Sequence, residues 1–177
     1  MLKKIIVTIV FIILGFSVFV VMQPDDFRIT RSSVISAPAD KIFAQVNDFH
    51  KWEEWSPWAK IDPNSKVSFE GSDSGVGAIM SWDGNMEIGS GSSTIVESIP
   101  NEVIKFQLNF LKPMKANNMG EFTFKSEGEK TLVTWSMYGK NNFIGKAMGI
   151  ILNCEKMVGG MFEQGLTNLK NTVEEKK

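Results

Sequence analysis

FIGKAMGIILNCEKMVGGMFEQGLTNLKNTV, residues 143–173, decides the fold. It contains no proline, and Phe143, Ala147, Ile151, Cys154, Val158, Met161, Leu169 and Val173 recur at spacings that form one stripe of a 3.6-residue helix. Lys146, Asn153, Glu155 and Glu163 fall between them. A helix of this length spans roughly 45 Å at 1.5 Å per residue, and its apolar stripe must lie against something equally long. The rest of the chain offers a sheet. Gly145, Gly149, Gly159, Gly160 and Gly165 interrupt the stretch, each at a cost of about 1 kcal/mol against alanine in a helix interior. Two readings stand. Either the helix kinks or breaks near Gly159-Gly160, or the small residues, with flexible Met157 and Met161, leave room between helix and sheet. On the second reading Gly160→Phe fills that room.

Upstream, Phe27–Ser36 alternates, with Phe27, Ile29, Ser33 and Ile35 on one side, as a first strand should. Arg31 falls on that less polar side, which places it near the sheet's end with its charge in water. Ala37-Pro38-Ala39-Asp40 breaks the strand, and Ile42, Phe43 and Val46 mark a short helix. The segment Phe49-His50-Lys51-Trp52-Glu53-Glu54-Trp55-Ser56-Pro57-Trp58 follows, with three of the chain's 5 tryptophans. Trp52 and Trp55 share a helical face; the group either plugs one end of a core, rims a cavity mouth or touches a membrane interface.

From Lys66 the grammar is that of strands: Lys66–Glu70, Val76–Trp82, Met86–Ile99, Glu102–Phe110, Gly120–Lys125 and Thr131–Tyr138. Asp83-Gly84-Asn85 is a hairpin signal, and Gly89 and Gly91 suit a bulge or bend. Ile104, Phe106, Leu108 and Phe110 alternate with Lys105, Gln107 and Asn109, while Phe122, Phe124, Val133, Trp135 and Met137 point inward on the next two strands. Short turns between consecutive strands imply an antiparallel meander, curled around a bulky inner face. The fold class is therefore α+β, with about seven strands, short helices after the first strand, and a long C-terminal helix.

The 177 residues suit one domain plus an appendage. We divide them into residues 1–26, an anchor and short tether, and residues 27–177, the folded domain. Lys3 and Lys4 precede an apolar run through residues 5–22, broken only by Thr8, Gly15 and Ser17. That run reaches roughly 27 Å as a helix, close to the ~30 Å hydrocarbon thickness of a bilayer. A cleaved signal peptide needs small residues at its cleavage site, which Val18-Phe19-Val20-Val21-Met22-Gln23 lacks. An uncleaved single-pass anchor fits better. Lysines before the span and Asp25-Asp26 after it predict a cytoplasmic N-terminus, with the domain on the outer, periplasmic or extracellular side. The tether from Gln23 to Asp26 spans at most about 14 Å, so the domain sits on the membrane surface.

Composition excludes several classes of chemistry. A net charge of -1 and the lack of a basic stripe argue against a nucleic-acid partner. One histidine, His50, and one cysteine, Cys154, cannot supply a usual zinc site. No cofactor and no metal is expected. His50 reads as a solvated turn residue and Cys154 as a small core residue. The glycines from Gly71 to Gly91 lack the Lys-Ser/Thr of a phosphate loop.

Ala37-Pro38-Ala39 leading into Ile42-Phe43, Val46-Asn47-Asp48-Phe49, Trp52 to Trp58, Gly77, Ser81-Trp82-Asp83-Gly84, Gly89-Ser90-Gly91 and Gly165-Leu166-x-x-Leu169-Lys170 together resemble the START-like (SRPBCC) superfamily of helix-grip proteins, related to Bet v 1. The polyketide cyclase/dehydrase-like branch is the nearest in pattern. The resemblance covers roughly Phe27 to Val173. It implies a curved antiparallel sheet gripping the long helix around a hydrophobic ligand cavity, in a superfamily that includes lipid carriers, metabolite binders and aromatase/cyclases. The N-terminal anchor departs from the soluble cyclases.

Two functional readings follow, and a third beside them. The first is a membrane-tethered domain binding a hydrophobic small molecule or lipid. Its lining would be Trp52, Trp55, Met80, Trp82, Phe106, Leu108, Phe122, Phe124, Trp135 and Met137, facing Met157, Met161 and Phe162 from the helix. The second is a cyclase, dehydrase or isomerase-like enzyme acting on a hydrophobic substrate. Tyr138 and Glu87 are its proton-moving candidates, with Arg31 as an anion stabiliser. The near-absence of titratable groups among the inward positions favours binding over acid–base catalysis. The third is a non-binding scaffold with a filled interior.

Overall fold

The structure, a computed structural model, describes residues 1–175. Helix α1 (Leu2–Val21) leads into β1 (Asp26–Ile35), then α2 (Ala39–Val46), a 3-10 turn (Phe49–Lys51), α3 (Trp52–Trp55) and a second 3-10 turn (Pro57–Lys60). Six strands follow: β2 (Lys66–Gly71), β3 (Ala78–Asp83), β4 (Ser90–Ile99), β5 (Val103–Lys112), β6 (Ala116–Glu127) and β7 (Lys130–Lys140). Helices α4 (Phe143–Ile151) and α5 (Cys154–Glu175) close the chain. The strands form one antiparallel sheet of order β1-β7-β6-β5-β4-β3-β2. This is the antiparallel meander before a C-terminal helix that the alternation predicts, in the helix-grip arrangement that the resemblance implies.

Alternation decides the inner face because each strand must bury one side. Paired residues share a face, so one row runs Ile104, Phe122, Trp135, Arg31 across four strands. The row above it runs Ile95, Phe106, Gly120, Met137, Ile29, and the next Met80, Ser93, Leu108, Asn118, Gly139, Phe27. The register shifts on β4 at Ser90/Gly91 and Ile95/Glu97, where the sheet curls. Gly91 is required there, since a Cβ would strike the Asn109 carbonyl and lie 2.7 Å from the Trp82 ring.

The long helix is two helices, and the break lies at Leu152-Asn153, not at Gly159-Gly160. Asn153 has φ 48°, a left-handed conformation that asparagine tolerates better than most residues. Its carbonyl accepts from Lys156 and Met157, so the residue that stops α4 also starts α5. The glycines after it remain helical. Gly160 is exposed, with nothing within 4 Å of the point a Cβ would occupy, so Gly160→Phe would project into solvent and fill no interior space. The buried stripe of α5 is Gly159, Phe162, Gly165, Leu166, Leu169 and Val173; Phe143, Ile151 and Met157 are exposed.

Two further expectations are corrected. Met86 to Gly89 are not strand; residues 84–89 connect β3 to β4, and Asp83 pairs with Ser90. Asn85 Oδ1 accepts the backbone N–H groups of Glu87 and Ile88, which folds a longer loop than a two-residue hairpin. Buried Asp62 pins that loop by accepting from Asn85 N at 2.8 Å. Arg31 is not at the sheet's end. It lies mid-strand opposite Trp135, under α5.

Candidate functional site

The inner face divides into a filled lower part and an open upper part. The filled part is aromatic. Trp135 stacks on Phe162 of α5 at 4.2 Å and 11°, and on Phe122 at 4.7 Å and 27°. Trp52 meets Phe106, Phe122 and Trp135 edge-on at 5.5, 6.2 and 6.3 Å. The indole N–H of Trp52 donates to the Val46 carbonyl at 2.9 Å, which satisfies its one polar atom inside the core. Trp55 is fully buried, and Asn168 of α5 donates to its carbonyl. The tryptophan segment therefore plugs the core, as one of its sequence readings holds.

Gly165 lets α5 approach this plug. A Cβ there would lie 2.7 Å from the Trp135 ring and 3.1 Å from Pro57. Lower down, Ser36 N donates to Glu174 at 2.7 Å and fixes the end of α5 to the end of β1.

Above the plug the inner face changes character. Met80, Trp82, Leu108, Phe110 and Met137 are only half-buried, and Trp82 meets Phe110 edge-on at 5.9 Å. These side chains form an apolar shelf, with Asn118 and the buried Ser93 the polar side chains in the row of Met80 and Leu108. The helix next in the chain does not cover the shelf: α4 has no buried residue. It turns instead toward α1, against which it packs. Lys146 of α4 donates to the Gln23 carbonyl at 2.7 Å and pairs with Asp25 at 2.5 Å. That bond and the lysine's charge hold the Asp25 carboxyl below its ordinary range.

At the boundary between plug and shelf sits Arg31. Its Nε donates to Glu163 at 2.6 Å, Nη2 to Glu155 at 2.9 Å and Nη1 to the Thr30 carbonyl at 2.9 Å. Hydrogen bonds to Glu163 and then Glu155 raise its pKa, so it stays charged. A Cβ on Gly159 would overlap the guanidinium. Arg31 thus clamps the start of α5 to β1, with each guanidinium nitrogen already engaged.

The thirteen lining residues sort accordingly. Trp52, Trp55, Phe106, Phe122, Phe124, Trp135 and Phe162 are buried in the plug; Met80, Trp82, Leu108 and Met137 lie on the shelf; Met161 is half-buried and Met157 exposed on α5. Phe27, Phe110 and Asn118 also belong to the upper rows. Phe110 was legible from its alternation with Leu108, whereas Asn118 precedes the predicted start of its strand at Gly120. Tyr138 lies on the outer face with Arg28 over its ring at 4.7 Å, and Glu87 is exposed in the 84–89 loop. His50 stacks on Phe69 at 4.1 Å and bonds Asp48. Among the described residues no cluster of three or more His, Cys, Asp or Glu side chains is arranged to hold a metal.

A sheet wrapped on a C-terminal helix, with a largely apolar inner face whose ionic cluster of Arg31, Glu155 and Glu163 is paired within itself, defines a helix-grip domain. Residues 26–174 match the family described as polyketide cyclase / dehydrase and lipid transport. The chain belongs to that family. Solved structures agree on the fold. The di-domain aromatase/cyclase StfQ from the steffimycin biosynthetic pathway superposes with a TM-score of 0.66 at 15% identity, over 85% of this chain and 51% of that one. A protein from Chromobacterium violaceum gives 0.59 at 18% identity, over 86% and 99% of the two chains. The Aha1 dimer from Colwellia psychrerythraea gives 0.59 at 16%, over 84% and 96%. No curated protein matches the chain in sequence.

Proposed function

We propose that the domain of residues 27–177 binds a hydrophobic small molecule, in the first instance a lipid, on the shelf above the aromatic plug. Residues 1–26 tether it to a membrane, with the N-terminus cytoplasmic and the domain on the outer side. The observation that carries this reading is the uncovered apolar half of the inner face, where Met80, Trp82, Leu108 and Met137 stay half-buried and α4 has no fully buried residue. A protein that needed only a core would close α4 over these side chains. Membership in a family whose description includes lipid transport supports the same reading, as does an α1 of 20 residues with mean hydropathy 2.8, a profile that fits a membrane anchor or a signal sequence.

Recognition on such a shelf rests on apolar burial at about 25 cal/mol per Å², with few polar groups to orient the ligand. Asn118 is placed to accept or donate one hydrogen bond to a polar end. The plug closes the lower part, so a ligand lies above Trp135 and does not thread the whole sheet.

The test is binding of a fluorescent phospholipid or fatty acid to the full chain in detergent, wild type against Leu108→Asp. Leu108 is partly buried against the edge of the core, so the variant's fold is first verified by its tryptophan emission. Loss of a buried leucine contact is worth about 1.5–3 kcal/mol, roughly ten- to a hundredfold in Kd. Equal affinity in the two proteins removes the shelf as the binding surface.

A further inference from the structure

In an antiparallel meander alternate turns share one end of the sheet. Asp26 pairs with Lys140, Asn118 with Gly139, Phe110 with Ala116, and Ser90 with Lys112. The α1–β1 junction, the β7–α4 junction, the β5–β6 turn and the 84–89 loop therefore all lie at the end where the shelf opens.

That end is apolar and exposed. Met86 is 86% exposed in its loop, Leu111 58% and Met114 42% at the β5–β6 turn, and Ile144 59% and Ile151 64% on α4. Between these side chains stand Lys112, Lys115 and Lys140, together with Asp26, Asp83 and Glu87, and Lys112 pairs with Asp83 at 3.7 Å. Lys115 and Lys140 form walls of a groove of about 440 Å³ that also takes in Phe110 and Asn142. Val76 and Ile99 aside, the turns at the opposite end carry Asp73, Asn101, Glu102 and Glu129.

We propose that this end of the domain lies in the interface of a bilayer, so that the shelf opens onto lipid. The proposal rests on the reading of α1 as a membrane anchor and extends it from a tether to a docked orientation. Four residues separate the end of α1 from the start of β1, a span of at most about 14 Å. The Lys146 bonds to Gln23 and Asp25 then tie α4 to the point where α1 leaves the hydrocarbon. An apolar helix held there, flanked by exposed lysines, has the composition of an interfacial element. Its apolar side chains enter the acyl boundary while the long side chains of Lys115 and Lys140 reach the headgroup layer. A lipid then reaches Leu108 and Met137 by sliding between α4 and the β5–β6 turn without crossing water.

The test uses the full chain in vesicles of phosphatidylcholine and phosphatidylglycerol. In a Cys154→Ser background, an environment-sensitive fluorophore is placed at Ile12→Cys, Met114→Cys, Ile151→Cys or Glu129→Cys. Intrinsic tryptophan emission confirms that each labelled protein is folded. The expected result is a blue-shifted probe, quenched by spin-labelled lipid, at residues 12, 114 and 151, with a water-like, unquenched probe at residue 129. A water-like probe at 114 and 151 with a quenched probe at 12 overturns the docked orientation and leaves the anchor standing. A water-like probe at 12 removes the anchor, and the proposal with it.

Discussion

Two glycines on one helix, five residues apart, respond to the same substitution with opposite signs. Gly165 is buried, and a methyl group there would sit 2.7 Å from the Trp135 ring and 3.1 Å from Pro57. Trp135 cannot retreat, because Phe122 and Phe162 stack on its two sides at 4.7 and 4.2 Å. Forcing a methyl group into such packing costs about 1–3 kcal/mol, against a helix-propensity gain of about 1 kcal/mol from replacing glycine by alanine. Gly165→Ala therefore nets a loss of up to about 2 kcal/mol. Gly160 is exposed and its methyl meets nothing within 4 Å, so Gly160→Ala keeps the propensity term alone and gains about 0.5–1 kcal/mol. The assay is urea unfolding of the full chain in non-ionic detergent, followed by tryptophan emission, which reports on the plug directly. A Gly165→Ala protein at least as stable as wild type would refute the stacked plug as the feature that sets the distance between helix and sheet.

Other consequences concern the two clamps. Arg31→Gln should let the first turns of α5 exchange their amide hydrogens faster, while Leu166 to Val173 stay protected. A uniform increase along α5 would mean that Arg31 serves general stability and not the local clamp. At the other clamp, Asp25 has its pKa lowered chiefly by its hydrogen bond to Lys146. A depressed carboxylate contributes stability that is complete above its unfolded value, near 3.8, and is lost as pH falls through the lower folded value. The α4 amides should therefore keep their protection from neutral pH down to that range and lose it below. Asp25→Asn should bring the loss to neutral pH; unchanged exchange in that variant would show that α4 is held by its other contacts.

Much of the architecture was legible because burial of one sheet face leaves a period of two in the sequence. Ile104, Phe106, Leu108 and Phe110 announce β5 with nothing else known, and Phe122 to Phe124 and Val133 to Met137 do the same for β6 and β7. The helix break was not legible in the same way. Five glycines drew attention to residues 145–165, yet the break needed a residue stable at positive φ, and Asn153 supplies it with a cap for α5. Gly159 and Gly165 instead accommodate Arg31 and Trp135, partners that lie on other elements, and no local pattern encodes them.

The site was half-legible for a related reason. Alternation identifies which side chains face inward, but it does not say whether a ring or a ligand occupies the space between them. Trp135 and Leu108 carry the same inward signal in the sequence. The difference is that Phe162 descends from α5 onto the first, while α4 bends away from the second. That bend is set by Lys146 reaching back to Gln23 and Asp25, a contact across 123 positions for the Gln23 bond.

The central claim is that the open half of the grip holds an apolar molecule. Native mass spectrometry of the full chain, extracted from membranes in mild detergent, tests it most directly. The account predicts a population carrying one apolar molecule per chain, released on denaturation and depleted in Leu108→Asp. A chain that is unliganded as extracted, and stays so after exposure to fatty acids and phospholipids, would contradict it.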